Sequence, residues 1–172
     1  MMLHVNRNFK AFTLIELLVV VAIIGILAAV GVNTFSGFQE KAKISATKSN
    51  HKLVVKFITT TMLKSTMNDG YFEGMYQNNA CQNKINKKMT PDSLNGVYNK
   101  FITHLRCLIK DHPFNDPTYP AVNGGQRGIL GTVEIQRECI SSKPVFIINT
   151  VWNDKNEKLT DQIAMSEYNV SC

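Results

Sequence analysis

These 172 residues contain no Walker loop, no dinucleotide fingerprint and no nucleophile–base motif, so the sequence offers no enzyme and calls for no cofactor. Gly124-Gly125 marks a loop, not a phosphate cradle. No Cys-x-x-Cys pair is present, which removes the strong zinc patterns. No internal repeat is visible, which argues against a solenoid. The formal net charge is only +6, well short of a dedicated nucleic-acid protein. No cysteine precedes Cys81.

What is present is concentrated between Lys10 and Lys43. From Phe12 to Val32 almost every side chain is apolar, and the run is long enough to cross a bilayer as a helix. A single carboxylate, Glu16, interrupts it. An ionisable group placed in a membrane is costly and calls for a partner charge. Arg7 and Lys10 precede the run and hold that end in the cytoplasm by the positive-inside rule. An ordinary secretory signal cut near Ala28-Ala29 has no use for Glu16, and the sequence after Val32 continues helical without a turn. A plain one-span anchor leaves Glu16 equally unexplained.

Ala11-Phe12-Thr13-Leu14-Ile15-Glu16, followed by the apolar run, resembles the class III signal and N-terminal helix of type IV pilins and pseudopilins. The resemblance covers about the first third of the chain. It implies cleavage between Ala11 and Phe12 by a prepilin peptidase, N-methylation of Phe12, and neutralisation of a neighbouring subunit's Phe12 amine by Glu16 during filament assembly. Ala11 stands where the family usually has Gly, Asn33 where many members have Pro, and Phe35 and Phe38 where many have Tyr. Loss of residues 1–11 removes Arg7 and Lys10 and takes the net charge from +6 to +4.

Residues 33–67 continue the helix. Phe35, Ala42, Ala46, Leu53, Val54, Phe57 and Ile58 recur at helical spacing as one apolar face, with Lys41, Lys48, Lys52 and Lys56 opposite. Gly25, Gly31 and Asn33 suit close helix–helix contact, with any loosening falling around Gly25–Asn33. Residues 68–90 are rich in Asn and Lys and read as a surface loop carrying Cys81. Thr90-Pro91 signals a helix start, and Leu94 to Ile109 follow at helical spacing, which predicts a helix over about 91–111 carrying Cys107. Residues 112–128 are punctuated by Pro and Gly as a loop. Three strands are expected over 129–139, 145–152 and 158–170, within a 129–172 sheet and disulfide region.

The expected fold is therefore α+β: a long N-terminal helix whose second half packs on a small antiparallel sheet. Four cysteines outside the cytoplasm imply disulfides, and three connectivities are open. Cys139–Cys172 resembles the C-terminal disulfide loop of many pilins, and Cys81–Cys107 would tie the long loop to its helix. Strands one and three of a three-strand sheet lie about 10 Å apart, beyond disulfide reach of about 7 Å. Cys172 must then lie past its strand, or the strand order must differ.

Two weaker constellations remain. His104, Cys107, Asp111 and His112 mimic a metal site, but a disulfide Cys beside surface histidines explains them better; Asp111, Asn115 and Asp116 lack the oxygen density calcium needs. Lys41, Lys48, Lys52, Lys56, Lys84, Lys87 and Lys88 form a candidate contact for DNA phosphates or for acids of a partner subunit, without the interleaved aromatics of a stacking platform. The resemblance implies a pilus subunit, held first in the inner membrane by one span and then carried in a surface filament. The partners it implies are identical subunits, the prepilin peptidase and the pilus assembly machinery. A type II secretion pseudopilin and a DNA-binding minor pilin are the alternatives.

Overall fold

The structure is a computed structural model that describes residues 12–67, 71–76, 78–82, 84–88, 94–125, 127–165 and Cys172. The chain forms two compact units, residues up to Glu40 and Lys41–Cys172. The helix α1, Leu14–Met67, supplies residues to both. It is helical through Gly25 and Gly31, around either of which an added Cβ meets open space.

The first unit is helix with no core. Every large apolar side chain described in it, from Phe12 to Phe38, is at least 47% exposed. Its packing partner is therefore something other than the rest of this unit, since apolar surface left in water is unfavourable at about 25 cal/mol per Å².

The second unit is α+β. After α1 come strands β1 (Tyr71–Tyr76) and β2 (Lys84–Lys88), helix α2 (Leu94–Leu108), then β3 (Val122–Gly124), β4 (Val133–Ile140), β5 (Lys143–Val151) and β6 (Lys158–Ala164). The main sheet runs β3-β4-β5-β6. It is mixed, not purely antiparallel as expected: β3 lies parallel to β4, while β4, β5 and β6 are antiparallel neighbours. Residues 112–128 were expected to be loop throughout. Their Val122–Gly124 instead joins the sheet edge, anchored where the Val133 N–H donates to the Ala121 carbonyl at 2.9 Å. The return from β3 to β4 is short for a parallel pair. It passes through Gly125 and Gly131, both at positive φ, a conformation that favours glycine.

The sheet face toward the helices carries Val133 and Ile135 from β4, Phe146 and Ile148 from β5 and Ile163 from β6, all in the core. Alpha2 meets it with Val97, Phe101 and Leu105, spaced for one helical face. Phe101 and Tyr98 each approach Phe146 edge-on at 6.1 Å between centroids. The Arg106 guanidinium donates to the Val122 carbonyl and to Asn123 Oδ1, so the end of α2 is tied to β3.

The packed face of α1 departs from the expected one. Buried there are Thr47, His51, Val54, Ile58, Met62 and Ser65, while Ala42 and Ala46 are exposed and Leu53 is 44% exposed. Phe35 belongs to the other unit and is exposed. Val54, Ile58 and Phe57 of the expected face do meet the core, but three other members of the buried face, Thr47, His51 and Ser65, are polar and find partners, so counting apolar residues missed them. Thr47 returns its hydroxyl to the Lys43 carbonyl, and His51 bonds into the sheet. Residues 71–88 also depart from expectation: the surface loop is an antiparallel hairpin, bulged between Phe72 and Met75. Its Lys-rich second strand has low β propensity. What orders it is burial of Phe72 and Met75 against the core, with Phe72 edge-on to Phe101 at 5.9 Å. The expected turn at Asn68-Asp69-Gly70 and the helix start at Thr90-Pro91 lie outside the described residues.

Candidate functional site

The head of α1 is built by a capping box. Thr13 is the cap and Glu16 stands three residues on. The Thr13 amide and hydroxyl both donate to Glu16 Oε2, each at 2.8 Å, and the Glu16 N–H donates to Thr13 Oγ1 at 3.3 Å. Two helix-end donors are thus satisfied reciprocally, and the carboxylate sits at the positive end of the helix dipole. This arrangement supplies Glu16 with a partner inside its own chain. The pattern Thr-x-x-Glu was legible in the sequence, but Glu16 was read only as an assembly group. Phe12 precedes the helix and is 81% exposed. Ala11, on the other side of the expected cleavage, lies outside the described residues.

Both disulfides bring together cysteines far apart in sequence. Cys81 pairs with Cys107, which links the tip of the β1–β2 hairpin to α2, with Cα atoms 5.3 Å apart. Cys139 pairs with Cys172, Cα atoms 6.0 Å apart. Strand β6 ends at Ala164, so Cys172 lies beyond its strand, and this resolves the geometric conflict while β5 remains between β4 and β6.

The lysines divide into separate groups. Lys41, Lys48 and Lys52 line one shallow groove on α1, together with Ile44, Ser45 and Ser49. Lys48 is half-buried and its ammonium lies 3.5 Å from the centroid of Trp152, a cation–π contact. Lys56 is exposed on the same helix outside that groove. Lys84 belongs to the hairpin and stands over the Tyr76 ring at 5.1 Å. Lys87 and Lys88 pair by backbone with Phe72 and Tyr71; their side chains lie outside the description.

The histidines serve the fold. His104 is stacked on Phe57 at 4.8 Å, and its Nδ1 accepts the Tyr76 N–H at 3.0 Å. Burial, with the Lys84 charge as a second cause, pushes its pKa below the ordinary histidine value. His112 Nδ1 accepts the N–H groups of Phe114 and Asp116 and its Nε2 meets Thr132 Oγ1. Burial lowers its pKa too, opposed by the nearby Asp116. Cys107 is held in its disulfide, Asp111 is exposed, and Asp116 Oδ1 accepts the N–H of Thr118. No group of three His, Cys, Asp or Glu side chains among the described residues is arranged to hold a metal.

His51 was missed in the sequence. Its Nδ1 meets Thr150 Oγ1 at 2.8 Å and its Nε2 meets Asp161 Oδ2 at 2.7 Å. Thr–His–Asp contacts of this kind resemble a nucleophilic triad, but Thr150 is 1% exposed and His51 2%, so no substrate atom reaches the hydroxyl. The contacts fasten α1 to β5 and β6.

The prokaryotic N-terminal methylation motif matches residues 6–32. The chain is 53% identical over 47 residues to the type IV major pilin protein PilA of Myxococcus xanthus (strain DK1622), covering 27% of this chain and 21% of that protein. It is 37% identical over 70 residues to the type IV major fimbrial protein FimA of Dichelobacter nodosus, covering 41% of this chain and 44% of that protein. The chain thus spans less than half the length of either relative. No solved structure matches. The methylation motif at the head of α1, the similarity to two major pilins and a long apolar helix continuing onto a small sheet support a type IV pilin.

Proposed function

We propose that this chain is a structural subunit of a type IV pilus, anchored in the inner membrane through residues 12–32 and then polymerised into a helical surface filament. Its role is mechanical and not catalytic. The observation that carries the reading is the fully uncovered apolar stretch of α1, headed by a single carboxylate and matched by the methylation motif. An 18-residue stretch of α1 with mean hydropathy 2.9 and none of it buried is stable either in lipid or against copies of itself.

In this reading a prepilin peptidase cuts between Ala11 and Phe12 and methylates the new amine. Before assembly Glu16 is held by Thr13. On docking, the carboxylate of Glu16 exchanges that intramolecular partner for the Phe12 amine of a neighbour. Opposite charges attract strongly in a low-dielectric bundle, while either one unpaired there is costly, so one axial register is favoured. The partners are identical subunits, the prepilin peptidase and the pilus assembly machinery. The two relatives are named as major pilin and major fimbrial proteins, which favours a filament over a secretion pseudopilin. Among the described side chains, Lys41, Lys48 and Lys52 lie on α1 and Lys84 on the hairpin, separate elements that lend DNA binding little support.

Mass spectrometry of sheared surface filaments tests this. The expected species begins at N-methylated Phe12 and has all four cysteines oxidised. A processed chain confined to the membrane turns the assignment toward a pseudopilin or minor subunit. A chain cut near Ala29 removes the pilin reading.

A further inference from the structure

The dipeptide Asn-Gly occurs twice in the sequence, at Asn95-Gly96 in α2 and at Asn123-Gly124 in β3. Asparagine is a thermolabile residue. Its side-chain amide is lost when the next backbone nitrogen attacks Cγ and closes a succinimide ring. A following glycine hinders that attack least, because it has no Cβ. The two copies stand in different settings.

At Asn123 several features converge. Strand β3 is the edge of its sheet. Its ladder to β4 uses the Ala121 carbonyl and the Gly125 N–H, so the Gly124 N–H faces away from β4. That N–H donates to Asn123 Oδ1 at 2.9 Å, which sets the Gly124 nitrogen beside the amide carbon it would attack. The Arg106 guanidinium donates to the same Oδ1, while its Nε donates to the Val122 carbonyl at 3.2 Å. Two donors on one atom fix it as the carbonyl oxygen. A cation anchored there polarises the amide and is already in place for the negative charge that develops on attack. Asn123 is only 8% exposed, but Gly124 is partly open to solvent, so hydroxide reaches its N–H. Packing also forces the glycine, since an added Cβ on Gly124 would collide with the Tyr98 hydroxyl. Asn95, by contrast, is exposed near the start of α2, where helical geometry directs the next N–H along the helix axis.

We propose that Asn123 is a self-modifying site, converted to aspartate by the Gly124 nitrogen with Arg106 as the oxyanion donor. Hydroxide takes the Gly124 amide proton. The nitrogen lone pair forms the N–Cγ bond, the Cγ–Nδ2 bond breaks, and Nδ2 leaves as ammonia after taking a proton from water. Water then adds to the succinimide and reopens it. The net change is amide plus water to carboxylic acid plus ammonia, with nothing oxidised or reduced. Opening at Cγ restores the normal backbone, and the new carboxylate turns the Arg106 hydrogen bond into an ion pair. Opening at the backbone carbonyl gives isoaspartate, which lengthens the backbone and breaks the β3–β4 register, so aspartate is the favoured product. The site lies in the second unit, and the proposal goes beyond the pilus reading without resting on it.

The experiment uses the full chain in detergent micelles at mildly alkaline pH, folded or unfolded in urea. Peptide mapping by mass spectrometry follows both Asn-Gly sites, and enzymatic methylation counts isoaspartate. In urea the two sites should convert at similar rates. In the folded chain Asn95 should slow, while Asn123 keeps or exceeds its unfolded rate and yields mainly aspartate. Arg106→Gln should slow Asn123 by about tenfold or more. The Asn95 rate checks folding, because an unfolded variant would convert there as fast as in urea. If Arg106→Gln is unfolded by that criterion, Arg106→Lys, which keeps a cation without the guanidinium fork, should slow Asn123 in a folded chain. Protection of Asn123 on folding equal to that of Asn95 overturns the proposal. So does an Asn123 rate unchanged in the folded Arg106 variant, and so does a folded-state product that is mainly isoaspartate.

Discussion

Neutral His104 joins three elements. It stacks on Phe57 of α1, sits in α2, and accepts the Tyr76 N–H of β1 through Nδ1. That acceptor role requires the nitrogen to be unprotonated. The groups facing the ring are Phe57, Tyr76 and Lys84. Burial therefore lowers its pKa, with Lys84 adding to the effect. The unfolded chain then takes up the proton first. His104's contribution is whole above about pH 6.5, the ordinary histidine value, and is lost as pH falls toward the depressed folded value. His112 is shifted the same way and adds to the loss. Thermal unfolding followed between neutral and mildly acidic pH should show falling stability. His104→Asn, which keeps an acceptor without titrating in this range, should reduce the slope; an unchanged slope would count against this account.

Gly131 is a second residue whose identity is forced. It lies at φ +83, and an added Cβ would come within 2.6 Å of the Phe114 ring and 2.8 Å of the His112 ring. Gly131→Ala should therefore cost roughly 1–3 kcal/mol through strain and overpacking, measurable by chemical denaturation. Gly37→Ala, with open space around the site and a helical backbone, should leave the folded structure intact or stabilise the helix. Equal losses at the two sites would show that the packing around Gly131 is not what decides.

Among the elements, the β4–β5 hairpin turns on Ser141 and Ser142, both at positive φ. A two-residue turn of that form prefers Asn-Gly. Ser141→Asn with Ser142→Gly should stabilise the domain by about 1 kcal/mol, seen as a higher denaturation midpoint with unchanged slope. The β1–β2 hairpin forms a separate two-stranded sheet, and the Cys81–Cys107 disulfide ties it to α2. The Cys81–Cys107 bridge closes 26 residues, for which loop entropy gives roughly 2–4 kcal/mol. Replacing both cysteines by serine should lower stability by that order and speed amide exchange in β1 and β2 more than in β4 and β5. Uniform exchange across both sheets would place the hairpin inside the main cooperative unit.

At the scale of the whole molecule, one helix serves two environments. The large apolar side chains described between Phe12 and Phe38 are exposed, whereas Thr47, His51, Val54, Ile58, Met62 and Ser65 are buried in the second unit. In the proposed reading, lipid and then further copies of the chain cover that first stretch. Glu16→Leu keeps the span apolar and keeps the cleavage site, but removes the capping box and the charge offered to a neighbour. The processed chain should remain in the membrane fraction and be missing from sheared filaments; its normal recovery in filaments would remove the assembly role of Glu16.

The sequence by itself determined the organisation of this protein. An unbroken apolar run with one acid, a helical pattern beyond it, and even-numbered cysteines after it are one-dimensional signals, because they depend on hydropathy and spacing along the chain. The long helix, the second helix and the strands around Val133–Ile140, Lys143–Val151 and Lys158–Ala164 all follow from such signals. Tertiary structure decided what depends on partners distant in sequence. It put polar His51 into the packed face of α1, because Thr150 and Asp161 satisfy both ring nitrogens from 99 and 110 residues away. It made a hairpin of the Lys-rich segment, because Phe72 and Met75 bury against the core, and it turned three residues of a Pro-rich loop into a parallel edge strand. It also gathered Lys41, Lys48 and Lys52 of α1 on one groove and left Lys56 outside it. Local patterning is written in neighbours along the chain, whereas the energy that selects among faces, edges and partners comes from contacts the chain makes only once it has folded.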